Sequence, residues 1–317
     1  MDDRVVVLGG GIVGLTAAWR LVESGWYVEV WSDRDWAETT SAVAAAVWRP
    51  YRAEPEADVV RWSTRTFQVY EELAEVRDSG VIMMSGLELG REPMADPAWA
   101  QALPGFGHAA AAALPDGYVD ALAYRVPVVA MNLHLPWLVA ELTARGVRFV
   151  RRRVGWVEEA LVATPRVVNA TGLGARDLVP DLEVYPVRGQ VLRLTNPGLT
   201  EFRLDYHHPA GLTYVVPRGA DVIIGGTDQE DSWDTAVDEP EAAAILERCC
   251  QLCPELARAE VLGRAVGLRP ARSSVRLELV DAPGGWVCHS YGHGGAGVTT
   301  AWGCADDTAA LIGETRP

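Results

Sequence analysis

The sequence contains no lysine: all 28 basic residues among its 317 are arginines. This excludes Schiff-base catalysis of the pyridoxal phosphate or lysine-aldolase kind. It also excludes a Walker-type phosphate loop and a protein-kinase site, which both set a lysine against phosphates. With 43 acidic residues and a formal charge of -15, the chain lacks the basic excess that nucleic-acid binding needs. No apolar run reaches the ~20 residues required to span a bilayer, so no membrane association is expected. Val5 to Ala18 is apolar, but Asp2 and Asp3 precede it and four glycines interrupt it, unlike a secretion signal. The end, Glu314-Thr315-Arg316-Pro317, carries no peroxisomal address of the Ser-Lys-Leu type. Cysteine is scarce, and its five copies include the crowded group Cys249, Cys250 and Cys253. An odd number without a partner motif argues against a disulfide framework or metal site and for small apolar packing residues. A cytoplasmic location is expected.

Val5-Val6-Val7-Leu8 reads as a buried parallel strand ending at glycine. Ile12, Leu15, Trp19 and Val22 then recur at helical spacing, and Val28-Glu29-Val30-Trp31 reads as a second strand. Together they make a β-α-β unit within about thirty residues. Residues 58–78 read as helical. Alternation returns as a strand at Val126–Met131, a helix at Pro136–Ala144 and a strand at Val147–Arg153. Residues 184–227 hold short strands without intervening helices, the pattern of an antiparallel sheet. A helix follows at 240–253, and a last strand, Trp286–His289, leads through glycines to a helix from about Thr299. The pattern predicts an α/β protein of two interleaved domains: 1–50, 130–185 and 265–317 in one, 51–129 and 186–264 in the other.

Gly9-x-Gly11-x-x-Gly14 follows the first strand and opens the first helix. The first glycine permits the tight turn, the second lets backbone approach a pyrophosphate, and the third lets helix pack on strand. The diphosphate then faces the free N–H groups at the helix N-terminus. Asp33, 19 residues after Gly14, is placed to accept a ribose hydroxyl. Glu29 is a weaker candidate, and Arg34 leaves open recognition of a 2′-phosphate. A solvated Asp33–Arg34 pair in a turn is the plain alternative. An NAD(P)-dependent dehydrogenase would use the same fingerprint.

A second glycine cluster, His289-Ser290-Tyr291-Gly292-His293-Gly294-Gly295-Ala296-Gly297, runs from strand into helix. With Val298-Thr299-Thr300-Ala301-Trp302-Gly303-Cys304-Ala305 it resembles the signature of the FAD-dependent D-amino-acid oxidase family, departing at Cys288 and Ser290. The resemblance continues through Thr39-Thr40-Ser41, Ala44 to Tyr51, Asn169 to Gly172, Arg188-Gly189-Gln190, Tyr214 to Pro217, Gly225-Gly226-Thr227 and Gly267 to Arg272.

The resemblance implies a Rossmann-type FAD-binding domain interleaved with an α+β substrate domain on an antiparallel sheet. It implies that Gly9, Gly10, Gly11, Ile12, Val13 and Gly14 meet the FAD pyrophosphate and that Asp33 and Arg34 meet the adenosine ribose. Thr39, Thr40, Ser41, Ala45, Ala46, Val47, Val154 and Thr171 would pass along the cofactor. Gly294, Gly295, Gly297, Val298 and Thr299 would wrap the isoalloxazine end. Arg269 would grip the substrate carboxylate, a role the missing lysine leaves to arginine. Tyr214 would share that carboxylate, the Gly295 carbonyl would accept from the amine, and Tyr51 would line the pocket. The implied reaction is hydride transfer from Cα of a D-amino acid to flavin N5. Hydrolysis then gives a 2-oxo acid and ammonia, and O2 gives hydrogen peroxide. D-aspartate and glycine or sarcosine oxidation are close alternatives, and a homodimer is a candidate assembly.

Two departures from the family pattern stand out. Pro209-Ala210-Gly211-Leu212-Thr213 is shorter than the lid of larger relatives and lacks its tyrosine. Arg49 stands where glutamine is common: facing the pocket it would suit acidic D-amino acids, facing solvent it would leave neutral ones favoured. His207 and His208 are further candidates for substrate polarity, with exposed loop histidines the plain alternative.

Overall fold

The computed structural model describes residues 3–50 and 53–316; Tyr51 lies outside them. Its strands, in chain order, are β1 (Arg4–Leu8), β2 (Tyr27–Ser32), β3 (Val81–Gly90), β4 (Gly107–His108), β5 (Asp120–Val129), β6 (Arg148–Arg151), β7 (Arg166–Asn169), β8 (Tyr185–Thr195), β9 (Phe202–Asp205), β10 (Thr213–Pro217), β11 (Asp221–Gly225), β12 (Gln229–Glu230), β13 (Val261–Ala282) and β14 (Gly285–His293). They form one mixed sheet in the order β4-β5-β3-β9-β10-β11-β8-β13-β14-β7-β1-β2-β6, with β12 paired to β8.

The run β14-β7-β1-β2-β6 is parallel throughout. Val5 to Leu8 of β1 are buried, as a parallel strand covered on both faces requires. Outward from β13 the pairings are antiparallel except for β3 with β9. The parallel part is the β-α-β architecture expected from the first glycine motif.

The helix Ile12–Glu23 crosses from β1 to β2 and presents eight buried residues. It lies against the final helix, Gly297–Gly313, where Thr16 Oγ1 donates to the Ala301 carbonyl at 3.2 Å. The final helix also touches the helix Glu56–Leu73 through Gly303. A Cβ at Gly303 would stand 2.4 Å from Trp62 Cα, so glycine there serves helix packing. Trp302 beside it is 1% exposed; truncating so buried a tryptophan costs about 3–5 kcal/mol.

Three expectations change. The strand read at Val126–Met131 is the end of β5, which pairs antiparallel with β3. An apolar run of that length does not reveal its partner, so it looked like parallel alternation. The following helix begins at Met131 and contains Pro136. β13 was not expected as one element. Its 22 residues cross from the antiparallel to the parallel part, with an irregularity between Ala271 and Arg276.

The crowded cysteines lie on the helix Glu239–Leu252 and at its end. Cys249 and Cys253 are in a buried apolar cluster, and burial pushes their thiols up to about 12 and about 11. All five cysteines are free thiols. Among the described residues no helix is long and apolar enough to cross a membrane.

Candidate active site

A cavity of about 740 Å³ is lined by both parts of the sheet and by the loops that leave it, within the usual range for ligand sites. Gly9, Gly10, Gly11, Ile12, Val13, Asp33, Arg34, Thr39, Thr40, Ser41, Ala45, Ala46, Val47, Val154 and Thr171 line it. So do Gly294, Gly295, Gly297, Val298 and Thr299, and so do Arg49, Tyr214 and Arg269.

Gly14 is the exception among the glycines. A Cβ on it would stand 2.0 Å from the Gly9 carbonyl oxygen, so it admits the helix to the strand and does not line the cavity. Glu29 is taken up by Arg148 at 2.7 Å and by Trp31 Nε1 at 2.9 Å. Asp33 and Arg34 are both at the cavity and bonded to each other at 3.0 Å. That hydrogen bond outweighs burial and holds the Asp33 carboxyl below its ordinary range. His207 is exposed and His208 half-buried, and neither lines the cavity.

The turn after β1 explains itself. Gly9 has φ of +114°, and a Cβ there would stand 2.3 Å from the Ala170 carbonyl oxygen. The first helix then starts at Gly11 without a side-chain cap. Ile12 N–H donates to Ser41 Oγ at 3.0 Å, so the Thr39–Ser41 segment is tied to the same helix end. The final helix also starts without a side-chain cap. At Gly297, which lines the cavity, a Cβ would meet only the His293 Cβ, at 3.8 Å, so packing within the protein does not demand glycine there.

Sequence motifs that had no individual roles acquire them at Arg269 and Tyr214. A Cβ on Gly189 would fall 2.5 Å from the Arg269 guanidinium nitrogens. Gly189 lies opposite Gly267 in the β8–β13 pairing, so its bare backbone leaves the guanidinium its place. Arg269 Nη1 donates to the Thr227 carbonyl at 2.9 Å. Among the described residues no carboxylate lies within ion-pair distance of Arg269. Gly225 and Gly226 make the same kind of room for Tyr214, whose ring atoms would stand 2.3–3.1 Å from added Cβ atoms.

Arg49 faces the cavity but is already engaged. Its Nε and Nη2 donate to the Glu88 oxygens at 2.8 and 2.7 Å, and its Nη1 donates to the Pro50 carbonyl at 3.1 Å. Burial is the largest single influence and depresses the guanidinium, but the Glu88 hydrogen bonds, together with the electrostatic pull of Tyr206, Glu88 and Tyr124, hold its pKa above the ordinary value. The sequence reading missed Glu88 and Tyr206. Tyr206 lines the cavity and lies against Arg49, 4.2 Å from guanidinium carbon to ring centroid. The available signals were an acid in an otherwise apolar strand and a tyrosine eight positions before Tyr214. Ser290 and His293 belong to the second glycine cluster. They line the cavity, and Ser290 Oγ and His293 Nε2 are buried without protein partners. Burial pushes the His293 imidazole down to about 4, so it is neutral at pH 7.

A family model described as FAD dependent oxidoreductase matches residues 4–311. The chain belongs to this family. FAD-dependent oxidoreductases similar to it include the D-amino-acid oxidase of Rubrobacter xylanophilus, 47% identical over 312 residues, covering 98% of this chain and 96% of that one. The D-amino-acid oxidase of Streptomyces coelicolor is 46% identical over 316 residues, covering 98% and 97%. In fold the chain resembles the crystal structure of glycine oxidase from Geobacillus kaustophilus, with TM-score 0.81, 18% identity and coverage of 99% and 96%. The cavity walls fit FAD. They offer the N-terminus of the first helix, behind a glycine turn and with no capping side chain on Gly11, for the diphosphate. They also hold two buried polar atoms whose hydrogen bonds the protein does not fill.

Proposed function

We propose that the protein catalyses oxidative deamination of D-amino acids, with water and O2 consumed and a 2-oxo acid, ammonia and hydrogen peroxide formed. The observation that carries this is Arg269, a cation at the cavity without a carboxylate partner among the described residues. Beside it, Tyr214 reaches the same cavity from β10. A guanidinium offers parallel N–H donors that fit a carboxylate. The two relatives named as D-amino-acid oxidases support the same reading.

In this reading Gly9 to Val13 receive the diphosphate, Asp33 and Arg34 the adenosine ribose, and Thr39 to Ser41, Ala45 to Val47, Val154 and Thr171 run along the cofactor. Gly294 to Thr299 hold the ring end. FAD, when bound, supplies the two-electron acceptor that oxygen regenerates. The protein supplies position and field. Arg269 and the Tyr214 hydroxyl fix the α-carboxylate, and the Gly295 carbonyl accepts a hydrogen bond from the uncharged α-amine. Holding Cα in one orientation removes most of the entropic part of the barrier. The uncapped end of the final helix favours negative charge developing near it. No side-chain base is assigned at Cα.

Residues 1–50, 130–185 and 265–317 then form the cofactor domain and 51–129 and 186–264 the substrate domain. Free thiols support a reducing compartment such as the cytoplasm. The decisive experiment mixes the yellow holoprotein anaerobically with D- and L-forms of several amino acids. Bleaching of the flavin by D-forms alone, and peroxide on admitting air, is expected. A flavin that no D-amino acid reduces, or that L-forms reduce equally, overturns the proposal.

A further inference from the structure

A third guanidinium bears on the substrate wall without reaching it. Arg248, on the helix Glu239–Leu252, is 3% exposed and does not line the cavity. The helix packs on the antiparallel sheet through an apolar cluster that includes Ala242, Ile245 and Cys249. An apolar residue at 248 would serve that packing without the desolvation that a buried cation suffers. What a guanidinium adds is direction, because its donors leave a rigid plane at fixed angles.

Those directions are specific. Nη2 donates to the Gly226 carbonyl at 2.7 Å and to Glu241 Oε1 at 3.1 Å. Nε and Nη2 also donate to the Leu212 carbonyl, both at 3.4 Å. The Gly226 N–H donates to that same Leu212 carbonyl at 2.7 Å. Leu212 immediately precedes β10 and Gly226 immediately follows β11, and Tyr214 lies opposite Gly225 in the pairing between them. Arg248 therefore clips the open end of the hairpin that carries Tyr214. The base of the clip is fixed as well. Asp238 caps the helix by accepting from the Glu241 N–H at 3.0 Å, and its own N–H and carbonyl are bonded to the Gln190 side chain at 2.8 Å each.

Both groups assigned to the substrate carboxylate rest on this clip. The Tyr214 ring lies on Gly225 and Gly226, so closely that added Cβ atoms would fall 2.4 and 2.8 Å from its hydroxyl oxygen. The next carbonyl, that of Thr227, accepts from Arg269 Nη1 at 2.9 Å. Successive carbonyls of one stretch thus bond Arg248 of the helix and Arg269 of the cavity. We propose that Arg248 is a positioning residue for recognition of the substrate carboxylate: by pinning Gly226 it sets the places of Tyr214 and Arg269 together. The inference rests on the D-amino-acid oxidase reading and adds a residue to it. Arg248 touches neither substrate nor cofactor in this scheme.

The test reads ligand binding apart from turnover. Pyruvate, the 2-oxo acid of D-alanine, carries the carboxylate and is titrated into the holoprotein with the flavin absorption band as signal. Arg248→Met keeps an unbranched side chain and removes its donors. It should weaken pyruvate binding by on the order of tenfold, the scale of one misplaced hydrogen bond to a charged group. KM for D-alanine should rise by a similar factor, with FAD affinity near wild type. Tyr214→Phe supplies the second arm. The double variant should bind pyruvate more tightly than the product of the two single losses predicts, because residues of one network do not act independently. A purely structural Arg248 would lower FAD affinity in step and leave the two losses multiplicative. Should Arg248→Met not fold, hydrogen exchange of the wild type decides: the Gly226 amide should be protected before pyruvate is added, since the clip is built into the protein. Unchanged pyruvate binding in Arg248→Met, multiplicative losses, or a Gly226 amide protected only with pyruvate overturns the proposal. A wild-type flavin that pyruvate does not perturb and no D-amino acid reduces would instead overturn the oxidase reading beneath it.

Discussion

Arg269 and Arg49 line one cavity but are held in different ways. Arg269 reaches across β8 above Gly189 and gives an N–H to the Thr227 carbonyl, keeping its charge for a ligand. Arg49 spends its fork on a buried carboxylate and its face on a tyrosine ring. The same side chain is thus a binding group at one wall and a structural member at the other. The presence of a protein carboxylate decides which. In a chain without lysine, counter-charges sort one kind of cation into both roles.

The largest expected effect tests the structural side. Arg49→Met leaves Glu88 buried without its cation, and breaking a buried pair from one side costs about 3–5 kcal/mol. Thermal or urea unfolding of the holoprotein should show that loss; unchanged stability would remove Arg49 from the structural role. Arg269→Ala should do the reverse. Stability and flavin binding should hold, while kcat/KM for a good substrate falls by roughly 2–5 kcal/mol of transition-state binding. Normal steady-state kinetics in that variant would cancel the contrast. Gly189→Ala is a smaller disturbance of the same wall. Its methyl would occupy the place of the Arg269 guanidinium, and displacement of a binding group by about 1 Å can cost ~10²-fold. A raised KM with the flavin spectrum unaltered is expected; wild-type KM would mean that the guanidinium has another place to sit.

Much of this was legible in the sequence, for local reasons. Gly9 to Gly14 announce a strand, a turn and a helix end within six residues, and the cavity lies where that turn points. The cluster from His289 to Thr299 does the same at the other end of the chain. Tyr214 and Arg269 were found by resemblance, but the reason for Gly189, Gly225 and Gly226 beside them needed the sheet. Glu88 was not legible because its partner is 39 positions away in the chain, and no local pattern sets that pairing. Tyr206 was hidden in a loop that drew notice for its shortness and for His207 and His208. β13 was hidden by Gly263, Gly267 and Pro270, residues that ordinarily punctuate a strand.

β13 and its neighbours also bear on how the polypeptide comes to be folded. β1, from the start of the chain, joins β7, from the middle, and β7 joins β14, near the end. A nascent chain that stops before Gly285 leaves both β7 and β13 with an open edge. The parallel part can close only after β14 has been made, and sheets of such distant pairings form slowly and expose edges that invite aggregation. The continuous strand that unites the two parts therefore also denies them separate folding, so neither is a module that can be cut out and expressed alone.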